Sequence, residues 1–309
     1  MNITVFGAGA LGGYFGARLQ ATGHDVTYIA RGAHLKAMQS QGLRVESPLG
    51  DIQYDQINAV GTPDQAPLAD LVLFMVKNYD VADAARELAP TIGPDTLVLT
   101  AQNGVSAQGL LADAIGEDRV LPGAIYMPAD IKAPGVIRHS AAFHKIIFGT
   151  WDGRVDGPVR DVETAIAATG IETIRSDDIW KVLWEKFILM APNAAITATT
   201  RLDIGPIRST PETLGLLRQL VEEAAAIARA EHAVIADDIV ETTMSFLTET
   251  VPATMHASML DDLMRGSRLE LPWLSGEIVR RGQELGIETP AHAFAYAVLA
   301  PSINGAPVV

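Results

Sequence analysis

Asn2-Ile-Thr-Val-Phe-Gly7-Ala-Gly9-Ala-Leu-Gly12 is the stretch whose reading decides the fold. Ile3 to Phe6 are β-branched or aromatic and read as a short strand that ends at Gly7. A helix is expected over Ala10 to Thr22, stopped by Gly23. The glycines therefore fall as GxGxxG between a strand and a helix, the context in which that pattern is informative. Gly7 permits the tight turn, Gly9 lets the backbone approach a pyrophosphate, and Gly12 lets the helix lie close to the strand. The helix N-terminus adds unpaired N–H groups for an anion. Gly7, Ala8, Gly9, Ala10, Leu11 and Gly12 are thus the expected cradle of a dinucleotide cofactor.

Outward from this cradle, Asp25 to Ile29 reads as a second strand and runs into Ala30-Arg31-Gly32. An acid at that point would hold the ribose 2′-hydroxyl of NAD, yet no carboxylate occurs until Glu46. Arg31 can instead grip a 2′-phosphate with two parallel N–H groups, which points to NADP(H). His34 and Lys36 read as plain surface. Leu71 to Val76 and Thr96 to Thr100 are near-continuous apolar runs, the pattern of parallel strands covered on both faces, with a helix over Val81 to Leu88 between them. Lys77 and Asn103 follow these strands, where ligands of open α/β sheets lie. Asn103 could offer its amide to a nicotinamide or substrate, or simply serve the turn before Gly104.

Strand candidates continue at Val120 to Ile125, Gly135 to Arg138, Lys145 to Phe148 and Glu172 to Ile174, with a polar helix near Asp161 to Ala168. Alternating strands and helices imply a doubly wound Rossmann-type sheet. From Asp177 the texture becomes helical, over 177–190, 211–232, 235–250 and 271–285, the last stopped by Gly286 and Pro290. The expected class is α/β: a Rossmann domain over residues 1–176, then an all-helical substrate domain over 177–309, with an active site in the cleft between them.

Within Val182-Leu-Trp-Glu-Lys-Phe-Ile-Leu-Met190 one lysine, Lys186, stands in a run otherwise made for burial. Pro192 should kink or stop this helix by removing a donor. Lys186 either snorkels to water along its methylene stem or is desolvated and acts as an acid. Hydride delivery to a ketone needs a proton donor for the carbonyl oxygen, and this favours the second role. Glu270 heads an expected helix, where a carboxylate suits the dipole as well as a site.

Composition narrows the partners. The chain has 309 residues, 48% hydrophobic and 19% charged, with net charge −14. That balance suits a soluble globular protein and disfavours nucleic acid and anionic membranes. With no cysteines, disulfides and thiolate metal sites are excluded, and the scattered acids and histidines suggest no metal set. No apolar run reaches membrane-spanning length and no signal peptide is evident, so a cytoplasmic location is expected.

The chain resembles the ketopantoate reductase (2-dehydropantoate 2-reductase) family over essentially its whole length. The likeness rests on NITVFGAGALGGYFG, VKNYD from Val76, QNG from Gln102, LWEKF from Leu183 and SMLDDLMRGSRLEL from Ser258. It implies NADPH-dependent reduction of a 2-oxo acid to an (R)-2-hydroxy acid, in pantothenate biosynthesis for typical members. By that resemblance Lys186 is the general acid and Glu270 orients it and holds the substrate hydroxyl. Ser258 binds the substrate carboxylate, Asn103 bridges nicotinamide and substrate, and Arg31 and Lys77 contact the cofactor's phosphate and ribose. Three asparagines typical of the family are replaced by Met190, Ala194 and Met255, with Asn193 close enough to compensate in substrate binding. A greasier pocket follows, and with it a changed substrate preference. Rival readings are an opine-type dehydrogenase or imine reductase on the same scaffold, or a non-catalytic NADP(H)-binding protein. The sequence leaves the oligomeric state open; a homodimer would form through the helical domain.

Overall fold

The computed structural model describes residues 1–307. The chain divides into two compact units: Met1–Gln102 with Ala107–Ile179, and Asn103–Ser106 with the chain from Trp180 onward.

In the first unit the strands and helices are β1 (Asn2–Phe6), α1 (Ala10–Ala21), β2 (Asp25–Ile29), α2 (Gly32–Gln41), β3 (Leu43–Glu46), β4 (Ile52–Tyr54), β5 (Asn58–Val60) and β6 (Ala69–Phe74). They continue with α3 (Val81–Glu87), β7 (Ile92–Thr100), α4 (Ala107–Ile115), β8 (Val120–Tyr126), β9 (Ala129–Ala133), β10 (Val136–His139), β11 (Lys145–Phe148), α5 (Gly157–Ala167) and β12 (Glu172–Arg175). Eight strands form one sheet in the order β12-β11-β8-β7-β6-β1-β2-β5. From β5 to β8 all neighbours are parallel, and β11 turns antiparallel to β8. The order reverses at β1, which places the carboxyl ends of β1 and β6 at the crevice where such sheets bind ligands.

Why the sheet is covered on both faces is visible in its side chains. Ile3, Val5, Leu71 and Leu73 enter one apolar core with α1 and α5; Phe6, Val72 and Phe74 enter the other with α3 and α4. Side chains alternate across a strand, so a run apolar at every position must be sandwiched. Asp156 caps α5 by accepting the Val159 N–H at 3.1 Å.

The run around Gly135 to Arg138, expected to extend the main sheet, belongs elsewhere. β10 joins a separate four-stranded sheet, β4-β3-β10-β9, pairing parallel with β3 and antiparallel with β9. Its strands are three to five residues long, too short for periodicity to assign a partner.

The second unit is helical: α6 (Ile179–Thr200), α7 (Ile204–Ser209), α8 (Pro211–Ala230), α9 (Ile239–Ser245), α10 (Ser258–Met264), α11 (Ser275–Leu285) and α12 (Pro290–Leu299). α6 does not stop at Pro192; it runs through it for 22 residues. The flanking residues Ile188, Ala191, Ala194 and Ala195 are all buried, and tertiary packing outweighs the one lost backbone bond. α9 starts at Ile239, later than its apolar pattern suggested, and passes into a π-helical turn at Phe246–Thr250. α11 starts at Ser275 after a 3₁₀ turn over Leu271–Trp273, where Pro272 sits, and ends at Gly286 with φ +70°. α8 packs against α7, α9, α11 and α12. Its buried Glu223 accepts the N–H groups of Ala291 (2.8 Å) and His292 (3.0 Å), capping α12.

Candidate active site

The glycine loop sits where β1 meets α1, and three glycines play three different parts. Gly7 has φ +95°, and a Cβ there would lie 2.9 Å from the backbone of Met75 and Val76. A Cβ on Gly12 would lie 2.3 Å from the Gly7 carbonyl oxygen and 2.9 Å from Val5 Cγ1, so the helix rests on the strand only because that side chain is absent. Around Gly9 nothing lies within 4 Å of such a Cβ. Its bareness serves no internal packing and leaves room for a ligand to approach the backbone. The first helical bond runs from Gly13 N–H to the Gly9 carbonyl (2.8 Å), so the first-turn amides have no partner within the helix. Together these features fit the pyrophosphate of a dinucleotide.

Arg31 caps α2 just past β2, with its side chain 64% exposed and 3.5 Å from Glu87. Exposed pairs of this kind contribute little, so Glu87 does not lock the guanidinium in place. His34 is not the plain surface residue expected. It is half-buried, its Nδ1 accepts the Gly135 N–H at 3.1 Å, and burial pushes its pKa below the ordinary 6.5. It ties α2 to the turn before β10 and adds no positive charge. Lys36 is exposed. Lys77 lies three residues past the end of β6, at the N-terminus of a 3₁₀ turn over Asn78–Asp80. Gln102 pins the end of β7 by donating to the carbonyls of Phe74 (2.9 Å) and Val76 (3.1 Å).

The next residue, Asn103, groups with the helices and not with the sheet that precedes it. Gly104 has φ +100°, and a Cβ there would meet the Trp273 carbonyl oxygen at 3.0 Å and Phe187 Cε2 at 4.0 Å. Phe187 follows Lys186 and Trp273 lies three residues past Glu270, so the Asn103 loop lies against the segments that carry both.

Lys186 is 7% exposed, and so is Glu270. Desolvation pulls the lysine's pKa down from 10.5 to about 8, while the Glu270 charge opposes that fall. The snorkelling alternative is therefore not what the chain adopts. Behind the lysine, Trp184 packs edge-on against Trp180 and Phe187, and Arg281 lies 5.5 Å from the Trp184 ring centroid. Arg281 is itself held by Glu277 and Glu231, each at 2.7 Å.

Because α6 continues past Pro192, Lys186, Met190, Asn193 and Thr197 form one stripe within an arc of roughly 60°. Asn193 is 5% exposed and its Oδ1 has no hydrogen-bond partner. Ala194 is buried, whereas Met190 and Met255 are half-buried. Thr197 is missing from the sequence reading, which ended the helix too early to place it on this face. Fully buried, its hydroxyl donates to the Asn193 carbonyl (2.6 Å) and accepts the Ala257 N–H (3.4 Å). It thereby links the lysine's helix to the residue before Ser258. Ser258 opens α10 and is exposed.

Residues 3–153 match the family description "Ketopantoate reductase PanE/ApbA", and residues 178–302 match that family's C-terminal description. The chain belongs to the ketopantoate reductase family. A 2-dehydropantoate 2-reductase of Halobacterium salinarum is 32% identical, over 94% of this chain and 95% of that protein. YkpB of Bacillus subtilis, described as an uncharacterized oxidoreductase, is 29% identical, over 97% and 98%. The crystal structure of a PanE/ApbA family ketopantoate reductase from Ralstonia eutropha superposes with a TM-score of 0.90 at 33% identity, covering 98% of each chain. This member is accordingly an oxidoreductase of the pyridine-nucleotide-dependent kind. Among the described residues no helix is long and apolar enough to cross a membrane, and no group of three or more His, Asp or Glu could hold a metal ion.

Proposed function

We propose that this ketopantoate reductase family member reduces a 2-oxo acid to an (R)-2-hydroxy acid with NADPH, ketopantoate or a less polar relative being the substrate. The observation that carries the reading is the buried Lys186, its pKa lowered to about 8 beside Glu270. A lysine so tuned is charged at neutral pH yet gives up its proton readily, as a general acid must. The relatives named 2-dehydropantoate 2-reductase support the same reaction class.

When bound, the reduced nicotinamide supplies a hydride to the carbonyl carbon. Lys186 gives a proton from Nζ to the carbonyl oxygen, which completes the hydroxyl, and the neutral amine is reprotonated from water. Glu270 keeps the lysine charged until the carbonyl accepts that proton. Ser258 and Asn103 anchor the substrate, and Asn193 offers the amide on the lysine's own helical face. Gly7 to Gly12 and Lys77 hold the cofactor. Arg31 in place of an acid after β2 supports NADP(H) over NAD(H). The deciding experiment follows NADPH and NADH oxidation across 2-oxo acids, ketopantoate included, with and without amines. Turnover without amine and with preference for NADPH is expected; turnover only with amine, or none with any acid, refutes the reading.

A further inference from the structure

Ser258 is held by a device that the mechanism above leaves unused. The backbone before it is tied down: Gly205 N–H donates to the Ala253 carbonyl (2.8 Å), Ile204 N–H to the Met255 carbonyl (2.8 Å), and Ala257 N–H to Thr197 (3.4 Å). Between these anchors the His256 ring lies between two acids. Nδ1 is 2.7 Å from Asp203 Oδ1, and Nε2 is 3.3 Å from Asp261 Oδ1. Carboxylate oxygens only accept, so both contacts become hydrogen bonds only if both ring nitrogens carry protons. A neutral ring can make just one of them. Asp203 is the N-cap residue of α7, and Asp261 stands three residues after Ser258 on α10.

We propose that His256, as an imidazolium, is the positioning residue of Ser258: by bonding Asp203 and Asp261 together it fixes α10 and the hydroxyl at its start. This rests on the role given to Ser258 above, as the anchor of the substrate carboxylate. Burial makes the ring harder to charge, but the hydrogen bonds and charges of the two acids outweigh that and raise its pKa above 6.5. Asp203, from the connection between α6 and α7, and Asp261, from α10, are the charged groups acting on it. Since the folded pKa is the higher one, the clamp is complete below the ordinary histidine value and is lost as pH rises through the raised one. The ring is 30% exposed and its partners 40% and 47%, so a modest factor is expected.

The test is calorimetric binding of oxamate, a 2-oxo acid mimic that cannot be reduced, to the full chain saturated with NADPH, across pH. Wild-type affinity should fall about threefold to tenfold as the histidine loses its proton. His256→Gln should bind weakly throughout and lack that decline. His256→Arg, which stays charged and can donate to both acids, should bind well at both ends of the range. A decline shared by all three belongs to Lys186 and overturns the proposal. A glutamine variant with wild-type affinity and the same pH profile overturns the proposal. Should neither variant fold, the wild-type His256 ring titration by NMR decides: a midpoint above 6.5 that tracks the affinity loss supports the clamp, and one at or below 6.5 overturns it. No oxamate binding by wild type at low pH also counts against the clamp, whereas the reductase reading then stands or falls on the NADPH-oxidation screen.

Discussion

Replacing Lys186 by methionine separates the lysine's chemical work from the cost of burying it. Its pKa falls from 10.5 to about 8, which corresponds to roughly 3 kcal/mol that the fold bears to keep the ammonium charged at neutral pH. The depressed pKa means that the native state releases its proton first. The cost is therefore full below pH about 8 and fades as pH rises toward 10.5, and wild-type stability should climb through that window. Lys186→Met should lack this climb in thermal unfolding at a series of pH values. The variant leaves the Glu270 carboxylate buried without that cation, a loss of several kcal/mol in typical cases, so Lys186→Met is not expected to be the more stable protein at pH 7. Loss of a general acid should lower kcat by about 10² to 10⁴ while NADPH affinity, read by fluorescence, is unchanged. In wild type the charged lysine is the active form, so kcat/KM should fall about tenfold per pH unit above roughly 8. Glu270→Gln removes the charge that holds the pKa up, and the decline should move to lower pH. Wild-type turnover in Lys186→Met, or a decline centred near the ordinary lysine value, would refute the acid's assignment.

The glycine loop offers a paired control. Gly9→Ala should fold with unchanged Tm, since nothing lies within 4 Å of its Cβ, yet bind NADPH at least about tenfold more weakly; Gly12→Ala should lose stability first, with a contact at 2.3 Å. Arg31→Ala should cut the preference for NADPH over NADH by about tenfold to a hundredfold in Kd, as expected for a charge-assisted contact. Thr197→Val should cost about 1–3 kcal/mol in denaturant unfolding and raise the KM for the 2-oxo acid, while Thr197→Ser restores both. An unchanged KM in the valine variant would detach Thr197 from the substrate side.

The glycine loop and the flanking strands were legible because their constraints are local: positive φ, a missing Cβ and a run apolar at every position act over a few residues. Gly286 as a helix stop was equally local. The small second sheet escaped because its strands are too short to show a period, and α2 because Leu35, Ala37 and Met38 are nearly its only apolar anchors. Pro192 misled for a different reason: a helix-interior proline costs about 3 kcal/mol, and only packing says whether the helix can bear it.

What the sequence determined by itself is therefore the dinucleotide-binding half and the presence of an anomalous lysine and acid in the helical half. What only the tertiary structure decided is that Lys186 and Glu270 are both withdrawn from water, that α6 carries Asn193 and Thr197 onto the lysine's face, and that His256 lies between Asp203 and Asp261. The physical reason is range. Turn and capping preferences are set by neighbours in the chain, whereas desolvation and the pairing of charges depend on groups brought together from tens of residues apart, and no local pattern encodes that distance.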